Sequence, residues 1–210
     1  MMLRRAFLST FSALAALGGA GGQHSPAPSA GRFEPARHAR DDWFDQLPGK
    51  HRVVFDTWSA DKFDDVIRFA NNIFRGNKDG YDLADRDHAV IIIVRHRTAP
   101  FAFNDAMWAK YGKPFAERIE FTDPKTKQTP AANYYGAQLS ALIKQGVHLG
   151  VCNLTTRSLS QRLAELNGKT QDETYQELTT NTVGNAHFVP AGVLGVTRAQ
   201  EHGYALISIG

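Results

Sequence analysis

The chain has 210 residues, 24 Lys+Arg against 21 Asp+Glu, 42% hydrophobic residues and a single cysteine. That length and composition fit one ordinary α/β-sized domain with appended segments. They exclude an intramolecular disulfide framework, and the absence of a Lys/Arg run leaves no nucleic-acid signature.

Residues 1–22 read as an export signal. Arg4-Arg5-Ala6-Phe7-Leu8 precedes an apolar run to about Leu17 and then a small-residue exit, too short for a membrane span. The adjacent arginines followed by x-Phe-Leu look like a twin-arginine signal, a route that carries folded proteins. Without those two arginines the balance is 22 basic to 21 acidic residues, or +1. The expectation is a bacterial periplasmic protein with no stable membrane insertion once the signal is cleaved. Residues 23–48, rich in Pro, Ala, Ser, Gly and Arg, read as a linker or arm, and the aromatic pair Trp43-Phe44 near its end is expected to dock on the domain.

The domain is expected over 49–210. Residues 51–58 are a first strand. Phe63, Val66, Ile67, Ala70, Ile73 and Phe74 recur at helical spacing until Arg75-Gly76-Asn77 is expected to stop the helix, with a polar loop from 77 to 87. The continuous β-branched run 89–94 must be a strand buried on both faces, so strand, helix and strand make a right-handed βαβ unit in a parallel sheet. An aromatic helix is expected over 101–112, ended by Gly112-Lys113-Pro114, followed by a charged surface insertion or hairpin over 117–130. A helix over 131–145, a strand at 147–152, a helix over 155–166 using Leu159, Leu163 and Leu166, and a helical segment over 171–185 come next. A strand at 186–192, a helix at 193–202 and a last strand at 204–209 complete the pattern. The fold class is α/β, a three-layer sandwich with a mainly parallel five-stranded sheet.

In such a sheet ligands gather outside the carboxyl ends of the strands. Cys152 ends the third strand and should stand at a helix N-terminus, where the dipole and unpaired N–H groups favour a thiolate, with Arg157 one turn away. It could equally be a small buried core residue. His96, flanked by Arg95 and Arg97, follows the second strand at the same edge and suits an anionic ligand. Asp56 and Trp58 end the first strand and should wall the same crevice, although Asp56 could instead cap the next helix. Asn153 and Thr155 offer hydrogen bonds beside the thiol or serve as helix caps. Gly192 would let the backbone turn or approach a ligand closely. His148 shares a strand face with Cys152 by the period of two, and reads as a packed histidine. No nucleophile elbow, phosphate loop, His-Glu-x-x-His, Cys-x-x-Cys or dinucleotide fingerprint occurs, so no cofactor and no metal site are expected.

Two stretches resemble the DsrE/DsrF-like sulfur-relay family: Gly146-Val147-His148-Leu149-Gly150-Val151-Cys152 feeding a helix, and Val189-Pro190-Ala191-Gly192-Val193 with Ala199-Gln200-Glu201-His202-Gly203-Tyr204 after it. The resemblance covers about Val53 to Ile209. It implies a compact domain with a mainly parallel five-stranded sheet, assembled as trimers or hexamers, in which the cysteine matching Cys152 carries sulfur as a persulfide. Its expected partners are a small sulfur-containing anion or a sulfur-transfer protein. The alternative expectation is a non-catalytic oligomeric module that binds a small anion, or a metal such as copper through His96 and Cys152.

Overall fold

The computed structural model describes residues 33–210, so the expected signal at 1–22 and the start of the arm lie outside the described residues. Residues 35–210 form one compact unit. Five strands, β1 (His51–Thr57), β2 (His88–Val94), β3 (His148–Cys152), β4 (Ala186–Val189) and β5 (Ala205–Ile209), pair in the order β4-β3-β2-β1-β5, and every pairing is parallel. β2 is buried along all seven residues, as its unbroken β-branched sequence requires of a central strand covered on both faces.

The helices divide unequally between those faces. α2 (Phe63–Tyr81), α3 (Asp105–Ile119), α4 (Gly136–Lys144), α5 (Asn153–Asn167) and α6 (Gln171–Thr180) lie on one face. Their apolar residues pack with Phe55, Val90, Ile92, Val94, Leu149 and Val151 in the larger core. The opposite face is covered by α7 (Gly192–Glu201) and α1 (Trp43–Gln46), with Phe44, Val54, Ile91, Ile93, Val196, Ala199 and Tyr204 in a smaller core. This is the three-layer arrangement expected from the pattern of elements. Because side chains alternate along a strand, Asp56 and Cys152 share the α7 face with Val54, Ile91 and Ile93.

The topology has one reversal. The chain steps from β1 to β4 in a single direction, each connection using the larger helical layer, and then α7 crosses the opposite face to set β5 beside β1. Hence the connections leaving β3 and β4 depart to opposite sides, and the crevice that forms at such a switch point lies between Cys152 and its pairing partner Val189.

Two helices run past their expected ends. α2 continues through Arg75-Gly76 to Tyr81 and stops at Asp82, whose left-handed backbone (φ 55°) lets its N–H and that of Leu83 return to the carbonyls of Lys78 and Asn77. Gly76 faces open space, so it weakens the helix without breaking it. α3 begins only at Asp105, where the Asn104 side chain caps Met107 N–H, and runs through Pro114 because Phe115, Ala116 and Ile119 still have core to bury. Gly112 is needed inside that helix, since a Cβ there would stand 2.6 Å from the Pro130 carbonyl oxygen. In α5, Leu159 and Leu163 are buried as expected, whereas Leu166 is exposed. The 120–135 segment is anchored by Asn133, whose amide donates to the carbonyls of Phe101 and Phe103.

The end of the arm is part of the fold. Phe44 is fully buried, Leu47 nearly so, and the Tyr204 hydroxyl donates to the Phe44 carbonyl at 2.6 Å. Asp45 receives Arg52 at 3.1 Å and lies 2.9 Å from the His202 ring. Trp43 lies flat on His187 of β4, with ring centroids 4.0 Å apart and planes 5° from parallel.

Candidate functional site

The carboxyl edge is built around Arg95. Its guanidinium donates twice to the Asp56 carboxylate, at 2.7 and 2.9 Å, and lies 4.9 Å from the Trp58 ring centroid. Both partners come from the end of β1, so the two central strands lock one another at this edge. The hydrogen bonds that Arg95 donates to Asp56 raise its pKa above the ordinary value against the opposing effect of burial, and the negative charge of Asp56 acts in the same direction. The guanidinium is therefore held permanently charged on the same side of the sheet as the thiol.

Gly192 completes this cluster in the way its side-chain-free backbone allows. A Cβ there would meet the Arg95 stem at 2.4 Å, so the start of α7 sits directly on Arg95. Gly150 gives the same kind of closeness one pair below the corner, where a Cβ would meet Ile93 at 2.3 Å. Cys152 itself is the N-cap residue of α5, 6% exposed, with the Thr156 hydroxyl donating to its carbonyl at 3.0 Å.

The turn carrying Arg95, His96 and Arg97 is fixed by buried hydroxyls. Thr98 is fully buried, with its hydroxyl 2.8 Å from that of Thr57 and accepting from the Arg95 N–H at 3.0 Å. Within that turn His96 adopts a left-handed backbone (φ 53°), and its N–H donates to the Thr155 hydroxyl at 3.4 Å. The end of β2 thus meets the start of α5. The exposed imidazole is held below its ordinary pKa first by partial desolvation and then by Arg118, Arg97 and Arg95, so it is neutral at pH 7 among three guanidinium groups.

Of the residues selected from sequence, Asp56, Trp58, Arg95 and Gly192 form one contact cluster on the Cys152 side, and His96 is tied to α5. Three others turn elsewhere. Arg97 makes a two-pronged pair with Glu120 at the end of α3, at 2.9 and 2.6 Å. Arg157 lies over the Tyr175 ring, 4.3 Å from its centroid, and the Tyr175 hydroxyl donates to Asn153 Oδ1 at 2.7 Å. Arg157 and Asn153 therefore brace α5 against α6. Sequence reasoning missed Arg118, Glu120 and Tyr175, since nothing local in the sequence marks which basic or aromatic residue will return to the corner.

A second constellation also escaped it. His148 Nδ1 and His187 Nε2 are 3.0 Å apart on neighbouring strands, and Trp43 covers His187. Desolvation holds both imidazoles below their ordinary pKa, His187 at about 4, where His148 adds a smaller effect. Only one proton can sit in the gap, because two facing N–H donors would repel. The unfolded chain takes up protons below about pH 6.5 while folded His187 does so only near 4. Stability is therefore whole above the unfolded value and falls as pH drops from about 6.5 to 4. In His187→Phe, which keeps a ring under Trp43, chemical denaturation should show a shallower decline across that window. An unchanged slope would reject the assignment. His148 and His96, lowered in the same sense, account for a residual slope.

Among the described residues no group of three or more His, Cys, Asp or Glu is arranged to hold a metal, and no helix is long and apolar enough to cross a membrane.

No family model matches the chain, and no curated protein matches it. A similar solved structure is that of a protein of unknown function, MTH1491 from Methanobacterium thermoautotrophicum, at 18% identity and a TM-score of 0.43, covering 76% of this chain and 99% of that one. A likeness at that level says nothing about function.

Proposed function

We propose that this chain carries sulfane sulfur on Cys152, as a periplasmic relay or carrier protein of the DsrE/DsrF-like kind that assembles as a homo-oligomer. The observation that supports this most is the placement of Cys152 at the switch point of the sheet, in the N-cap position of a helix although its thiol bonds none of the helix N–H groups, on the same side as an arginine fixed by Asp56 and Trp58. The chemistry needs no cofactor. Cys152, having given its proton to solvent, attacks the outer sulfur of a persulfide or thiosulfate. The donor S–S bond breaks, its electron pair leaves on the departing thiolate or sulfite, and the outer sulfur stays on Cys152 as a persulfide. Arg95 keeps N–H groups beyond its two bonds to Asp56, and these with the neutral His96 give the anionic donor a hydrogen-bonding rim.

The burial of the thiol favours a second reading. With 6% of Cys152 exposed and Arg95 already neutralised by Asp56, the same corner suits a non-catalytic module whose cysteine is core and whose rim of His96 and neighbouring arginines binds a small anion. Intact-mass measurement after incubation with thiosulfate or polysulfide separates the two. A carrier gains mass in steps of one sulfur atom, and Cys152→Ala loses every step. A chain that gains nothing, with a thiol that also resists alkylation while folded, is not a carrier.

A further inference from the structure

The switch point has a second flank that the sulfur chemistry does not use. A pocket of about 330 Å3 opens between the end of β4, the outer side of α7 and the arm. Its apolar wall is Val189, Pro190 and Leu194, and Gly195 lets α7 close down on Val189, where a Cβ would stand 3.0 Å from that side chain. The volume lies at the small end of the range for ligand pockets, enough for one compact molecule and too little for a nucleotide.

The formal charges at its mouth sum to about zero but are unevenly paired. Arg198 is shared between Asp41, at 3.6 Å, and Glu201, at 2.5 Å, so those three groups leave at most one negative charge, dispersed over buried Asp41 and the helix end. Arg40 and His38 also border the pocket, both exposed, and Arg40 makes no ion pair among the described residues. α7 starts just beyond Pro190 with no side chain capping its first N–H groups, which leaves the positive end of that helix beside the pocket wall.

We infer that this pocket is a binding site for a small amphipathic monoanion, an apolar chain or ring bearing one carboxylate or sulfonate, with the apolar part on Val189, Pro190 and Leu194 and the head group at Arg40. The site is independent of Cys152 and would exist whether or not that residue carries sulfur.

Calorimetric titration of the full chain with octanoate, octylamine and octanol tests it. Octanoate should bind saturably at millimolar concentration, at least about tenfold more tightly than octylamine, as expected of one charge-assisted contact. Arg40→Gln should remove that preference. Leu194→Trp, at a position that is 45% exposed, should fill the pocket and abolish binding without lowering the melting temperature. Cys152→Ala should bind as the parent does, which separates this site from the sulfur reading. Absence of octanoate binding, octylamine binding as tightly, or unaltered binding by either pocket variant overturns the proposal.

Discussion

Phe44→Ala should cost the domain about 3 kcal/mol. The residue lies in the segment whose composition reads as linker, yet its ring is fully buried in the smaller core with Val54, Ile91 and Tyr204. Truncating it removes the whole aromatic contact and leaves a cavity in a layer covered by only one long helix and one short one. The backbone at Phe44 is also an acceptor for Tyr204 and, at 3.4 Å, for Arg52, so the arm cannot shift to fill the space without losing hydrogen bonds. Urea denaturation followed by circular dichroism gives the loss directly. Native emission of Trp43 should change in parallel as its stacking on His187 loosens. A loss below about 1 kcal/mol with unaltered emission would mean that the arm is appended to the fold and not built into it.

Removing one member of the Asp56–Arg95 pair should be of similar size. The side chains are 11% and 22% exposed, so Asp56→Ala strands a guanidinium that water reaches poorly, at a cost of about 2–3 kcal/mol after allowance for that partial access. Deleting both charges removes the stranded ion. Asp56→Leu combined with Arg95→Met should therefore recover most of the stability, because the Arg95 stem that Gly192 rests on is retained in length. The corner should nevertheless be altered, and the double variant should show a changed rate of Cys152 alkylation, since the charge beside the thiol is gone. If the single and double variants were equally unstable, the pair would matter through its packing alone.

The strands were legible because each is a short apolar run with its own boundaries. The seven buried residues of β2 admit hardly any other reading, and the residues that end β1, β2 and β3 necessarily meet at one edge of a parallel sheet. That is why Asp56, Trp58 and His96 with its flanking Arg95 and Arg97 could be placed at the same edge as Cys152 from the sequence alone. Helix ends were less legible. Gly76 and Pro114 are breakers by propensity, but helix interiors tolerate them when the next turn still has core to bury, as Phe115 and Ile119 do. Which charges pair across the corner was not legible at all. Arg95 and Arg97 are two residues apart, yet one turns back to β1 and the other reaches Glu120. The Trp43–His187–His148 stack joins residues far apart in the chain, and only the register of β3 against β4 brings the two histidines together.

The return of β5 to the side of β1 has a bearing on how this protein is made. Strands β2 to β4 can each pair with a neighbour already synthesised, so most of the sheet can assemble in the order in which the chain emerges. One flank of β1 must wait for the final five-residue strand, and until then it presents unpaired N–H and C=O groups, the kind of open flank on which chains associate wrongly. Tyr204 and His202, which grip Phe44 and Asp45, arrive at the same late moment. The arm segment around Phe44 and the last strand therefore close together, and the sheet is complete only once β5 has been made.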